Sequence, residues 1–158
     1  MSSMPALRMK IPDQDDWKRA QEGLDEGYAF RHFFGKSLEE AFRLFENHAL
    51  MYQEDLSYMP EYPFKYYLRA YIYYLGCQRS QGDSDAASCF LHLIRSQVKN
   101  RYEWLEDSWD SIERVLFRLS SDQAFFDASE KIYGDFGRKV DQILALRETE
   151  IQRRADLK

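Results

Sequence analysis

The sequence predicts an all-α fold, a single domain of six to seven helices packed around one central aromatic helix. Val, Ile and Thr are sparse and form no alternating runs of the kind that strands need, whereas Leu, Ala, Glu, Arg and Gln are frequent. The 158 residues suit one domain, and 44% hydrophobic residues can supply a sizeable core. We expect an N-terminal tail over 1–12, the helical domain over 13–146 and a charged C-terminal helix end or tail over 147–158.

The first helices are predicted from their start signals. A helical stretch should begin after Pro12, where three aspartates suit a helix N-terminus, and Gly23 and Gly27 should weaken or bend it. Ser37 followed by Glu40 forms a capping box, and the apolar residues after it recur at helical spacing. The next helix is therefore predicted to start at Ser37.

Residues 63–75 are the most informative part of the chain. After a short helix predicted over 52–59, Pro63 suits the first turn of the helix that follows. In helical projection its apolar side chains cover nearly the whole circumference, and only Lys65 and Arg69 mark a charged sector. A helix that is apolar on almost every side is a buried one. This helix is therefore the predicted centre of the fold.

The second half of the chain is also predicted to be helical. Asp83 or Ser84 should cap a helix that forms an antiparallel hairpin with the central one, because the connecting loop is short. A strongly amphipathic helix is expected over 102–119. A last helical region should start near residue 122, bend around its two glycines, and end in a charged stretch that projects or frays.

Motifs of the common metal and enzyme sites are missing from the sequence. His32, His48 and His92 stand without the Glu-x-x-His or His-x-x-x-His spacing of helical metal sites. Cys89 and His92 share a helical face, and Cys77 could join them to bind zinc, but reduced thiols packed as small hydrophobes are the favoured interpretation. We expect no catalytic residue, no metal and no cofactor.

Five carboxylates are predicted to share one side of the 102–119 helix, with no basic residue among them. At helical spacing such like charges repel by about 0.2–0.5 kcal/mol per pair. The stripe is either a docking surface for a basic partner or a solvated face that keeps the protein soluble, and the solvated face is favoured. Its members are Glu103, Glu106, Asp107, Asp110 and Glu113.

A second candidate surface lies on the central helix. Lys65 and Arg69 adjoin Tyr66 and Tyr73 in projection, and the four could form a recognition patch for an anionic ligand or an acidic partner segment. The alternative, which is favoured, is that the two cations mark the solvent edge of a buried helix. Buried tyrosines nearby would need partners for their hydroxyls, or would open onto a pocket.

Two segments resemble a known signature. Leu56–Met59 followed by Phe64–Tyr71 is similar to the Phe-Arg-Tyr-Tyr-Leu-Pro-Ala signature of small helical bacterial proteins of unknown function, with Lys65 in place of the arginine and Arg69 in place of the proline. The resemblance implies a helical fold and a bacterial source. It implies no activity and no catalytic residues.

Charge and hydropathy exclude some partner classes and locations. The 22 basic against 27 acidic residues give a net charge of -5, whereas nucleic acids and anionic membranes attract a basic surface. We therefore expect neither partner. No stretch approaches the ~20 apolar residues of a membrane span, and the N-terminus lacks the apolar run of a signal peptide. The sequence thus predicts a cytosolic protein.

The favoured function is a protein-interaction or adaptor module that works through the acidic stripe or the cationic patch. The alternative is a small-molecule binder or enzyme whose pocket lies among the tyrosines and a histidine such as His48. A homodimer is also open, because Val140, Leu144 and Ile151 stand at near-heptad positions for a short coiled-coil contact.

Overall fold

A computed structural model describes residues 10–158, except for the side chains of Arg19 and Gln21. This part of the chain is helical with no strand, and six of its helices have ten residues or more, which confirms the predicted all-α bundle. Most of the N-terminal tail, residues 1–9, lies outside the described residues. The helices are α1 (Gln14–Trp17), α2 (Leu24–Phe33), α3 (Leu38–Leu56), α4 (Glu61–Gly76), α5 (Ser84–Arg101), α6 (Trp109–Ser121), α7 (Glu130–Tyr133) and α8 (Phe136–Asp156). Short 3-10 helices span Lys18–Glu22, Gln78–Ser80, Tyr102–Trp104, Glu106–Ser108 and Gln123–Phe126.

The predicted caps are present. The Ser37 hydroxyl accepts a hydrogen bond from the Glu40 amide at 3.1 Å, and the Glu40 carboxylate accepts one from the Ser37 amide at 3.0 Å. Asp83 caps α5 by accepting from the Ala86 amide at 3.1 Å. Gly23 separates the first 3-10 helix from α2. The helix starts are therefore set locally, by side chains that satisfy exposed amides.

The short helix predicted over 52–59 is present, but it starts earlier and ends earlier than predicted. A kink at His48, where φ is -158° and ψ is 71°, divides α3 into two helical segments, and the second ends at Leu56. The amide of Met51 donates to Nδ1 of His48 at 3.2 Å. His48 thus acts as the N-cap of the second segment. Helical geometry resumes directly after the kink, because the His48 side chain accepts the hydrogen bond of the Met51 amide.

The prediction that α4 is the buried centre is confirmed. Most of its side chains lie in the core, which α3, α5, α6 and α8 complete. Tyr67 and Tyr71 have rings with no exposure and hydroxyls that donate to backbone carbonyls, and the Tyr74 hydroxyl donates to the Asp83 carboxylate at 2.6 Å. The buried hydroxyl groups of these three tyrosines therefore all have hydrogen-bond partners. Tyr73 differs, because 56% of it is exposed.

The predicted pairing of α4 with α5 is not the main packing of either helix. α4 packs most extensively on α3, and α5 packs on α8 and α3. Large side chains bridge the remaining gap between α4 and α5, as where the edge of Tyr71 meets the ring of Phe90 at 5.2 Å. A short loop keeps the ends of two helices close in space, but the size of the side chains between them determines which helix faces pack closely.

The continuous amphipathic helix predicted over 102–119 is also wrong. Two 3-10 turns cover its first part, and α6 begins only at Trp109. The buried residues Tyr102, Leu105 and Ser108 recur every third position, which is the period of a 3-10 helix. As a result the five carboxylates do not share one helix face, since only the last two belong to α6.

The charged C-terminal stretch does not fray, because α8 remains helical to Asp156, and it does not project freely, because Arg154 pairs with Glu103 and Glu106. Val140 lies in the core between α8 and its neighbours and is not available to a coiled-coil seam, contrary to that prediction. Leu144 is half-buried, and Ile151 is 38% exposed. Among residues 10–158, no helix has both the length and the apolar character needed to cross a membrane.

Candidate functional site: an acidic and aromatic surface

The turns between α5 and α6, with the first residue of α6, form a surface of two exposed carboxylates beside two aromatic rings that are only 5% and 4% exposed. We call it the acidic–aromatic surface and define it as Tyr102, Glu103, Glu106 and Trp109. Successive turns of a 3-10 helix eclipse residues three apart, so Glu103 and Glu106 project on the same side. The structure thus brings together two of the five predicted acidic residues. It does so because this stretch forms 3-10 turns instead of the predicted α-helix.

The acidic–aromatic surface binds two arginines of α8. Arg154 reaches both carboxylates with separate guanidinium nitrogens, at 2.7 Å to Glu103 and in a short hydrogen bond to Glu106. Its guanidinium carbon lies 5.2 Å from the centre of the Tyr102 ring. Arg154 therefore combines a forked ion pair with a cation–π contact, and hydrogen bonding to Glu106 raises its pKa above the ordinary value.

Arg147 occupies the aromatic half of the same surface. Its Nε donates to the Tyr102 hydroxyl at 2.9 Å, and its guanidinium carbon lies 4.5 Å from the centre of a Trp109 ring. The Trp109 indole N–H donates in turn to Glu113 at 3.1 Å. Each guanidinium thus meets an aromatic face and at least one oxygen acceptor.

Lys65 lies at the border of the acidic residues. Its ammonium is 2.8 Å from Glu61 and 3.6 Å from Asp107. Asp107 therefore links the predicted acidic stripe to the predicted cationic patch. Asp110 is exposed at the start of α6. The two candidate surfaces predicted from the sequence are neighbours, and charges of opposite sign join them.

The rest of the cationic patch does not form one exposed face. Tyr66 is buried, with 5% exposure, and the Arg69 guanidinium lies 5.1 Å from the centre of its ring. Partial burial lowers the pKa of Arg69. Tyr73 lies further along α4, where its ring meets Phe42 of α3 edge-on at 5.6 Å. Lys65 and Tyr73 therefore face different surroundings.

Sequence analysis missed a histidine–carboxylate pair that joins α2 to α3. Nδ1 of His32 lies 2.6 Å from a carboxylate oxygen of Asp55, whose side chain is only 11% exposed. The His32 ring stacks on Tyr28 at 6.2 Å and meets the edge of Tyr52 at 5.3 Å. Burial raises the pKa of the Asp55 carboxyl, and the hydrogen bond from His32 opposes that change. No short-range pattern connects the pair, since 23 residues separate them.

A shallow cavity of about 190 Å³ lies between α3 and α5. Burial raises the pKa of the Cys89 thiol and lowers that of His92, so a neutral thiol and a neutral imidazole prevail near pH 7 rather than the ion pair of a cysteine nucleophile. Cys77 and Cys89 are free thiols, and no group of three metal-binding side chains occurs in the part of the chain described. No tyrosine lines the cavity, whose residues are Gln53, Glu54, Ser57, Cys89, His92, Leu93 and Ser96.

No family model, no curated protein and no solved structure matches the chain. The arrangement of side chains is therefore the basis for inferring function. Among the features above, the acidic–aromatic surface has the clearest chemistry, because it already binds two guanidinium groups.

Proposed function

We propose that the protein is an interaction module whose acidic–aromatic surface binds an arginine-bearing segment of a partner protein. The observation that carries the proposal is the capture of Arg147 and Arg154 by that surface. A guanidinium is planar and weakly hydrated, so it suits a site that offers an aromatic face beside a carboxylate. A cytosolic location and a bacterial source belong to this proposal and are supported by the sequence alone.

The carboxylates have capacity for a further guanidinium. The Glu103 and Glu106 side chains remain 53% and 52% exposed beside Arg154. An ionised carboxylate offers about four acceptor positions, and Arg154 uses only part of them. Trp109 and Tyr102 are only 4% and 5% exposed, with the α8 guanidiniums lying over their rings, so a partner reaches these rings only where the arginines leave them. The edge that α8 leaves open to a partner is therefore the edge of the two carboxylates.

Peptide binding tests the proposal. The probe is a fluorescein-labelled, alanine-based helical peptide that carries two arginines seven residues apart, and fluorescence anisotropy at low ionic strength gives its Kd. We expect Glu103→Gln/Glu106→Gln to weaken binding about tenfold, because it removes both negative charges but keeps the side-chain size. The matched control, Glu39→Gln/Glu130→Gln, removes two exposed charges elsewhere and should leave Kd unchanged.

The assay is run on the wild-type chain and on an Arg154→Ala variant, in which both carboxylates lose their guanidinium partner. Binding that both glutamate substitutions weaken, and that the control pair does not, supports the proposal. If neither protein binds the peptide in a way that depends on Glu103 and Glu106, the interaction function is wrong.

The His32–Asp55 pair favours a second candidate, a binding site for a small molecule. A buried carboxylate orients the imidazole, and two tyrosine rings flank it, which are features of ligand sites. A fragment screen followed by NMR of the His32 ring protons tests this candidate. Ligand resonances that no longer change with His32→Asn but still change with His92→Asn support it, and a screen with no shift at His32 rejects it.

A further inference from the structure

The C-terminal part of α8, from Arg147 onward, is held differently from the part before it. Phe136, Val140 and Ile143 anchor the first turns in the core. Beyond Arg147 the large apolar side chains are exposed, Ile151 by 38% and Leu157 by 74%. The contacts that fix this end to the acidic–aromatic surface are those of guanidinium groups, which salt and competing cations weaken. Release of this end would uncover the Tyr102 and Trp109 rings but leave Phe136, Val140 and Ile143 packed in the core.

The two arginines present a regular pattern to the surface. Arg147 and Arg154 are seven residues apart, which places them on one helix face about 10 Å apart along the axis. Arg147 contacts the aromatic half and Arg154 the carboxylate half. The surface thus accommodates a helix with two guanidiniums at a spacing of two turns.

We propose that the end of α8 closes the acidic–aromatic surface as an internal mimic of the partner, and that the partner binds with a helix carrying two arginines seven residues apart. This inference rests on the proposed interaction function. The occupant is inferred from charge complementarity and from the geometry of the segment that lies there. Because α8 is tethered, it competes at a high effective concentration, so a free partner helix binds tightly only when the end is released.

The test uses the full chain with Arg147→Ala/Arg154→Ala, which removes the internal guanidiniums. The matched control is Arg153→Ala/Lys158→Ala, which removes the same charge from the same end, where Arg153 pairs with Glu150. The probe is the helical peptide with arginines seven residues apart. A second peptide of equal composition has them five residues apart, on different helix faces. We expect the Arg147/Arg154 variant to bind the first peptide at least tenfold more tightly than the wild type or the control.

Each outcome has a distinct meaning. Equal affinity of the wild type and the variant for the first peptide overturns the closure by α8 while the interaction function stands. Equal affinity of the variant for the two peptides overturns the two-turn spacing. If no form of the protein binds the peptide in a way that depends on Glu103 and Glu106, the proposed interaction function is itself wrong. Circular dichroism checks folding of the double variant, and Arg154→Ala, which keeps the contact of Arg147 with Tyr102, provides a milder second variant.

Discussion

Replacing Tyr67 by phenylalanine removes one oxygen atom from the centre of the molecule and leaves the ring in place. That hydroxyl lies 2.8 Å from the carbonyl oxygens of both Phe33 and Lys36, at the C-terminal end of α2. The side chain has no exposure, so water does not replace the lost donor. The two carbonyls share the single hydroxyl hydrogen, and the Phe33 carbonyl also accepts from the Lys36 amide at 3.0 Å, so the main loss is one buried hydrogen bond. We expect a loss of about 1–3 kcal/mol in the free energy of unfolding.

The assay is urea denaturation followed by circular dichroism, with thermal unfolding as a second measure. For a chain of this size about 2–4 °C of Tm accompanies each kcal/mol. Tyr73→Phe removes the same atom from a largely exposed ring on the same helix and should change stability by less than about 0.5 kcal/mol. If both variants lose equal stability, the assignment of α4 as a core helix with satisfied hydroxyls is refuted.

Three further predictions concern titration, thiol reactivity and the kink in α3. Burial raises the pKa of Tyr67, Tyr71 and Tyr74, so the folded state holds protons that the unfolded state releases, and stability should fall as pH rises above the ordinary tyrosine pKa of about 10. If ultraviolet absorbance at alkaline pH shows that these tyrosines ionise before the protein unfolds, this prediction is wrong. Burial likewise raises the pKa of Cys89. In a variant whose other cysteine, Cys77, is replaced by serine, Cys89 should therefore react with iodoacetamide more slowly than free cysteine at pH 7.5. Equal reaction rates would contradict the burial of this thiol. His48→Ala removes an N-cap and should cost about 0.5–2 kcal/mol in urea denaturation, whereas His48→Asn should restore most of it.

The sequence predicted the elements that local chemistry determines. The capping box at Ser37, the Asp83 cap and the apolar circumference of α4 each depend on residues within a few positions of one another. Such signals survive folding because no distant residue is needed to satisfy them.

Where the predicted helix bounds differ from the structure, the causes are local and hydrophobic periodicity does not detect them. The kink of α3 involves one residue, whose own side chain caps the helix that follows. The 3-10 turns at Tyr102 and Leu105 differ from an α-helix by only 0.6 residue per turn. Over two turns that difference is too small to see in an apolar pattern, yet it decides which carboxylates share a side.

The candidate sites were predicted only in part, because their partners are distant in sequence. Arg154 lies 51 residues from Glu103, and His32 lies 23 residues from Asp55. The sequence analysis placed five carboxylates together and favoured a solvated face, and it could not identify the arginines of α8 as partners for two of them. Tertiary packing of α8 on α5 and α6 supplies them.

Hydrogen–deuterium exchange with and without the two-arginine peptide measures directly whether α8 and a partner helix compete. If α8 is an internal mimic, saturating peptide should speed amide exchange over residues 147–156 and leave residues 136–143 protected, since core side chains hold that first part. Bound peptide with unchanged exchange over 147–156 would contradict the account.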